Sequence, residues 1–242
     1  MTAPAAPRPR TSPGPAWRAD PYAVALRAGR GPLFLRRTDG WLLPLDVERW
    51  CAGTDAGDES VLARCRGTVL DIGCGPGRLV AALAERGRPA LGIDVTPAAV
   101  ARTVRRGGTA LCRSVFDPLP GERRWNTALL IDGNIGIGGD PRALLERTAE
   151  LLARGGRLVA EAAPGEVDER CEVRLDDGRG GLGTPFPWAR LGLPALLRHA
   201  EAAGLRTVDS WTTAGRQFAE LGLGTQREAP ARPAAAPSGV SS

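Results

Sequence analysis

From residue 68 to residue 163, short apolar runs alternate with segments whose apolar positions recur at helical spacing. The runs in "TVLDIG", "PALGIDV", "TALCRSV", "NTALLIDG" and "RLVAEAAP" predict buried strands. Between them, "RLVAALAERG", "TPAAVARTVRRGG" and "DPRALLERTAELLARGG" predict helices with start and stop signals: Thr96-Pro97 opens one, Asp140-Pro141 another, and glycines close them. Strands that are apolar throughout, joined by helices, imply a parallel sheet covered on both faces.

The pattern changes towards the end. "PALLRHAEAAGL" predicts a helix, and "RTVDSWTTA" and "RQFAELGL" predict two strands around Gly215. A parallel crossover needs a dozen or more residues, so these two strands must pair antiparallel. The sheet is therefore expected to be mostly parallel, with one reversed strand near its edge. Before residue 67, "DPYAVALRAGR" predicts a helix, Asp39-Gly40 a hairpin turn, and "DVERWCAG" and "DESVLARC" short helices each opened by its aspartate. Residues 18–66 thus form an expected N-terminal cap on a main domain spanning 67–224. The ends, 1–17 and 225–242, are rich in Pro and Ala and are expected to be disordered.

Composition narrows the class. The 242 residues suit one domain with a sizeable core, 43% of them being hydrophobic. No apolar run is long enough for a bilayer, and the start lacks a signal peptide's apolar segment, so a cytoplasmic protein without a membrane partner is expected. The net charge is +5, but the basic residues are all arginine and are spread along the chain, which fits coding bias better than a nucleic-acid face. The five cysteines are scattered, and His199 is the one histidine. Neither a disulfide framework nor a metal site is expected. His199 falls beside the apolar stripe of its helix, towards solvent, and is not favoured as a base.

The informative stretch is 68–83, "TVLDIGCGPGRLVAAL". A strand ends at Asp71-Ile72, Gly73, Gly75 and Gly77 follow, and a helix begins. Glycines here let a ligand touch the main chain, at the strand end where open α/β sheets bind ligands. The spacing is not that of a dinucleotide loop, because Arg78 stands where the third glycine belongs. Asp71 would repel a pyrophosphate and attract an ammonium group.

With these motifs and "ALGIDVTPAAV", the chain resembles the class I S-adenosylmethionine-dependent methyltransferases. The resemblance implies a Rossmann-like fold: a mostly parallel seven-stranded sheet with one antiparallel strand near the edge and helices on both faces. It implies S-adenosylmethionine as cofactor, with Asp71, Gly73, Cys74, Gly75 and Gly77 around its methionyl part and Asp94 on the ribose hydroxyls. Val95 and Thr96 would lie beside the adenine. Ser114 stands where the family often has an acid for the adenine amino group, followed by Val115 and Phe116; Asp117 is the alternative. Asp132 and Asn134, in "IDGNIGIGGD", would lie near the reactive methyl.

Methyl transfer is an in-line displacement with a neutral leaving group, so holding the partners in line matters more than a strong base. Asp132, Asn134 and Glu161 are candidate catalytic residues, each also explained as a loop cap. Phe186, Trp188 and Tyr22, with Asn134, are candidate acceptor-site residues, and Trp17 could close over them. The Asn/Asp-Pro-Pro-aromatic motif of the adenine- and glutamine-directed branch is absent from the corresponding stretch. The expected activity is methylation of a small molecule. Alternatives are an RNA or protein methyltransferase, an NAD(P)-binding oxidoreductase, and a cofactor-binding regulator; oligomeric state is left open.

Overall fold

The computed structural model describes residues 20–223. The expectations for 1–17 and 225–242, Trp17 included, lie outside the described residues. The chain opens with α1 (Asp20–Ala28), β1 (Phe34–Arg37), β2 (Leu42–Pro44), α2 (Val47–Cys51) and α3 (Ala56–Leu62). The alternating part follows: β3 (Val69–Ile72), α4 (Arg78–Glu85), β4 (Ala90–Asp94), α5 (Pro97–Arg105), β5 (Ala110–Cys112), β6 (Trp125–Leu130), α6 (Pro141–Leu151) and β7 (Leu152–Ala162). Then come β8 (Asp168–Asp176), β9 (Phe186–Leu191), α7 (Leu193–Ala202), β10 (Leu205–Thr213) and β11 (Arg216–Leu223).

A seven-stranded sheet runs in the order β10-β11-β7-β6-β3-β4-β5. β3 to β7 are parallel to their neighbours, and β11 alone runs against β7 and β10. This is the Rossmann-like methyltransferase arrangement. Side-chain alternation along each strand feeds two cores. Leu70 and Ile72 of β3 pack with Leu144, Leu145 and Leu196 from α6 and α7. Val69, on the opposite face, packs with Val61, Leu79, Leu83 and Phe218. Asp71 shares the Val69 side of the strand, so its carboxylate is directed under α4 rather than towards α6.

The second sheet was not foreseen. Its order is β2-β1-β8-β9, all antiparallel. The sequence places the cap in 18–66 and gives no strand in 166–188. That stretch instead supplies β8 and the start of β9, with β8 pairing with β1 of the hairpin and β9 with β8. Asp168, Arg170, Glu172 and Arg174 face outward, while Val173, Leu175, Phe186 and Trp188 point inward and join Tyr22, Leu26, Leu33, Leu35 and Val47 in a core of their own. Burying each such side chain contributes roughly 1.5–3 kcal/mol, enough for this core to hold the cap down.

Two boundaries and one cap differ from expectation. α3 is opened by Asp55, whose carboxylate accepts from the Asp58 N–H; Asp58 closes the capping box instead of starting the helix. α6 stops at Leu151, because Leu152 is drawn into β7 opposite Trp125. Thr96 holds the N-cap position of α5 but makes no side-chain cap bond to that helix. Among the described residues no helix is long and apolar enough to cross a membrane.

Candidate active site

The glycine loop leaves β3 and is fastened to β4, where the N–H groups of Gly73 and Cys74 both donate to Ile93 O (2.8 and 3.0 Å). Gly73 and Gly77 have φ of +73° and +80°, a region in which side chains are strained. A Cβ on Gly73 would lie 2.7 Å from Asn134 Nδ2, and one on Gly77 would overlap Thr103. Both neighbours clamp the loop. Asn134 Nδ2 donates to Ile72 O and Gly73 O, each at 2.9 Å, and Thr103 Oγ1 donates to Gly75 O at 3.1 Å. The loop is rigid before any ligand arrives.

Beside it opens a cavity that is continuous with solvent. One wall comes from the main domain and carries the polar groups: Gly73, Cys74, Gly75, Arg78, Asp94, Arg113, Ser114, Asp132 and Asn134, with Ile72, Ile93, Val95 and Val115 between them. The other comes from the cap and the loop after β6: Tyr22, Leu35, Leu45, Trp50, Ile137 and Trp188. Asp94, at the end of β4, is 8% exposed. Its Oδ2 accepts from Gly75 N–H (3.1 Å) and its Oδ1 from Thr96 N–H (2.8 Å). Each oxygen keeps capacity for another donor, as a vicinal diol requires. Burial pushes this carboxyl up to about 6, against the pull of those hydrogen bonds. An uncovered glycine backbone and a fixed carboxylate within one cavity fit the amino-acid and ribose parts of S-adenosylmethionine.

The other sequence-derived positions divide. Thr96 is buried, Phe116 packs against the sheet core, and Gly77 caps α4 against Thr103; none of the three is on the wall. Asp117 accepts from Ser114 N–H (3.2 Å), turning back on its own loop, so Ser114 is the one that reaches the cavity. Asp71 sits behind the loop, 2% exposed. Burial pushes its carboxyl up to about 7; Arg78 opposes the shift, while Asp132, Asp58 and Asp94 add to it. Phe186 lies in the cap core, with its ring edge-on to that of Trp188 at 6.1 Å. Tyr22 reaches the wall from α1, and burial, then the charge of Asp94, holds its phenol neutral. His199 is off the wall, 3.0 Å from Asp168.

Sequence reasoning missed an ion network behind Asp132. Arg78 grips Asp58 and donates from Nη1 to Asp132 Oδ2 at 2.6 Å. Asp132 Oδ1 accepts from Arg49 (2.7 Å) and Arg216 (3.3 Å). Glu161 takes two bonds from Arg216, both 2.8 Å, and accepts the Asp132 N–H at 2.7 Å. Arg216 also reaches Asp55 and Asp58. Burial alone would raise the Asp132 carboxyl, but the three arginines outweigh it and hold the group below its usual range. Asp132 has φ +60°, a strained conformation for a residue with a side chain, and these contacts fix it. One signal was available: a cation in the first turn of α4 opposes the helix dipole and calls for acids nearby.

Residues 69–156 match the family model described as a methyltransferase domain. Among solved structures, the chain is similar to an S-adenosylmethionine-dependent methyltransferase from Bacteroides fragilis in complex with S-adenosyl-L-homocysteine. The TM-score is 0.74 at 23% identity, covering 89% of this chain and 99% of that one. The 1,6-didemethyltoxoflavin-N1-methyltransferase of Burkholderia thailandensis gives a TM-score of 0.51 at 21% identity, over 69% of this chain and 77% of that one. A sugar N-methyltransferase from Streptoalloteichus sp. gives 0.51 at 19%, over 70% and 87%. Residues 69–156 thus match a methyltransferase domain, and the chain has the fold of S-adenosylmethionine-dependent methyltransferases.

Proposed function

We propose that this chain methylates a small, largely apolar molecule in the cytoplasm, acting as one unit in which the N-terminal segment, joined by β8 and β9, roofs the main domain. The observation that carries this reading is the contrast between the two cavity walls: glycine backbone and carboxylate on one side, aromatic and aliphatic side chains on the other. S-adenosylmethionine, when bound, supplies a methyl already activated on a cationic sulfur. The chain's own residues then have three tasks: to hold the donor, to align the acceptor, and to exclude water.

On this reading Asp94 holds the ribose, loop 73–75 the amino-acid end, and Val95, Ser114 and Val115 flank the adenine. Asp71 acts from behind the loop as a source of negative charge for the ammonium group. Thr96 and Phe116 shape the adenine side from below the wall. Asp132 and Asn134 position the loops that flank the methyl, and Glu161 fixes Asp132. Tyr22 and Trp188 meet the acceptor, with Phe186 supporting Trp188. The roofed cavity favours a small molecule over an RNA or protein segment, and the small-molecule activities named for the Burkholderia and Streptoalloteichus enzymes are in keeping with this.

The test is to incubate the purified chain with cell metabolites and S-adenosylmethionine carrying an isotope-labelled methyl, then to search by mass spectrometry. A labelled product below about 1 kDa supports the reading. Label found only in RNA or protein contradicts it.

A further inference from the structure

The ionisable groups on the cavity wall are Tyr22, Cys74, Arg78, Asp94, Arg113 and Asp132. Among the described residues none is a free base. Asp132 is held by Arg49, Arg78 and Arg216. Asp94, besides its two backbone N–H donors, is taken by the ribose on the proposed reading, at the glycine-loop end. Tyr22 and Cys74 are buried and keep their protons, and the two arginines are permanent cations. An alcohol, phenol or thiol entering here finds no group to take its proton.

Charge excludes the next class. The network beside Asp132 sets Asp55, Asp58, Asp132 and Glu161 against Arg49, Arg78 and Arg216, a surplus of carboxylate. Asp46, more exposed, adds to that surplus on Arg49. Arg113, the exposed cation, lies next to Ser114 beyond β5, on the adenine side of this reading. A carboxylate or phenolate acceptor would enter an electronegative end of the cavity.

The apolar wall supplies the third constraint. Tyr22 and Trp50 meet edge-on with ring centroids 6.3 Å apart, and Trp188 closes the wall beside Ile137, to which it is bridged. Aromatic faces favour flat apolar bodies, and they favour cations over anions.

We infer that the acceptor is a planar, apolar molecule that attacks through an uncharged nitrogen. The nitrogen lone pair forms the new N–CH3 bond as the carbon–sulfur bond breaks, with its electron pair going to sulfur. Positive charge passes from sulfur to nitrogen, no proton need leave in the step, and the aromatic wall and surplus carboxylate suit the cationic product. This inference rests on the proposed methyl transfer.

The test uses the full chain and three probes on one two-ring frame: isoquinoline, 2-naphthol and 2-naphthoate. Transfer from methyl-labelled S-adenosylmethionine is followed by mass spectrometry, and binding to the S-adenosylhomocysteine complex by calorimetry. Isoquinoline should be methylated at least tenfold faster than the other two, and should bind at least tenfold tighter than 2-naphthoate. Trp188→Ala should weaken isoquinoline while leaving S-adenosylhomocysteine affinity within about threefold. Equal or faster transfer to either oxygen probe overturns the inference. So does failure of all three probes while S-adenosylhomocysteine still binds. Failure of S-adenosylhomocysteine itself to bind strikes the underlying function instead.

Discussion

Arg78 holds Asp58 through two parallel hydrogen bonds, Nε to Oδ2 at 2.7 Å and Nη2 to Oδ1 at 2.8 Å, and neither side chain is more than 4% exposed. One residue opens the helix after the glycine loop and the other belongs to the cap. The pair therefore ties the cofactor loop to the segment in front of it. Asp58→Ala would leave a buried guanidinium short of its main partner, at a cost of about 3–5 kcal/mol. Urea unfolding should show this as a lowered midpoint with an unchanged m-value.

Acidity acts in two windows. Burial works to raise the Asp58 carboxyl, but Arg78 and Arg216 prevail and hold it at about 2. Its contribution is present above the ordinary carboxylate range and is lost as pH falls towards 2. Asp71 and Asp94 behave oppositely, being pushed up by burial to about 7 and about 6. The folded chain binds their protons more tightly than the unfolded chain does. The stability they contribute is thus complete below about pH 4 and declines as pH rises through 6 to 7. Urea midpoints of the ligand-free chain should fall at both ends of this range.

Cofactor affinity should show the reverse trend. An ammonium and a sugar diol both favour ionised carboxylates, so S-adenosylhomocysteine should bind ~tenfold more tightly at pH 8 than at pH 5. Below pH 7 its binding should release protons, which calorimetry in buffers of different ionisation enthalpy would detect.

Asp94→Ala should weaken S-adenosylhomocysteine at least tenfold, about 1.4 kcal/mol, and should also lower stability, because it leaves the buried Thr96 N–H without its acceptor. Unchanged affinity would remove the ribose assignment.

Gly73→Ala places a methyl 2.7 Å from Asn134 Nδ2 at a φ of +73°. It should cost about 1–3 kcal/mol. Asn134→Ala removes the obstructing amide but leaves the backbone strain. In a double-mutant cycle the two changes should therefore be less costly together than their sum.

The sequence showed what is local. The strand–glycine–helix passage at 69–85 and the acid ending "LGID" are contiguous patterns, and the antiparallel pair around Gly215 follows from chain length alone. Long-range pairing was hidden. β1 meets β8, and Arg216 meets Asp55 and Asp58, between segments far apart in the chain, and no periodicity in either segment names the other. The strand at 168–176 is hidden in the sequence because Asp168, Arg170, Glu172 and Arg174 make the stretch read as polar, and Glu169 and Asp176 interrupt the alternation of Val173 and Leu175. Leu152 has ordinary helical surroundings in sequence and becomes strand because Trp125 offers a ladder partner. Asp58 reads as a helix cap, and only the fold turns it towards Arg78.

A crystal structure of the chain grown with S-adenosylhomocysteine bears on all of this at once. The expected density has both ribose hydroxyls on the Asp94 carboxylate and the amino-acid end over Gly73 and Gly75, with open space left between the sulfur and Trp188. A ligand seated outside this cavity, or turned so that its adenine lies against the glycine loop, would contradict the assignment.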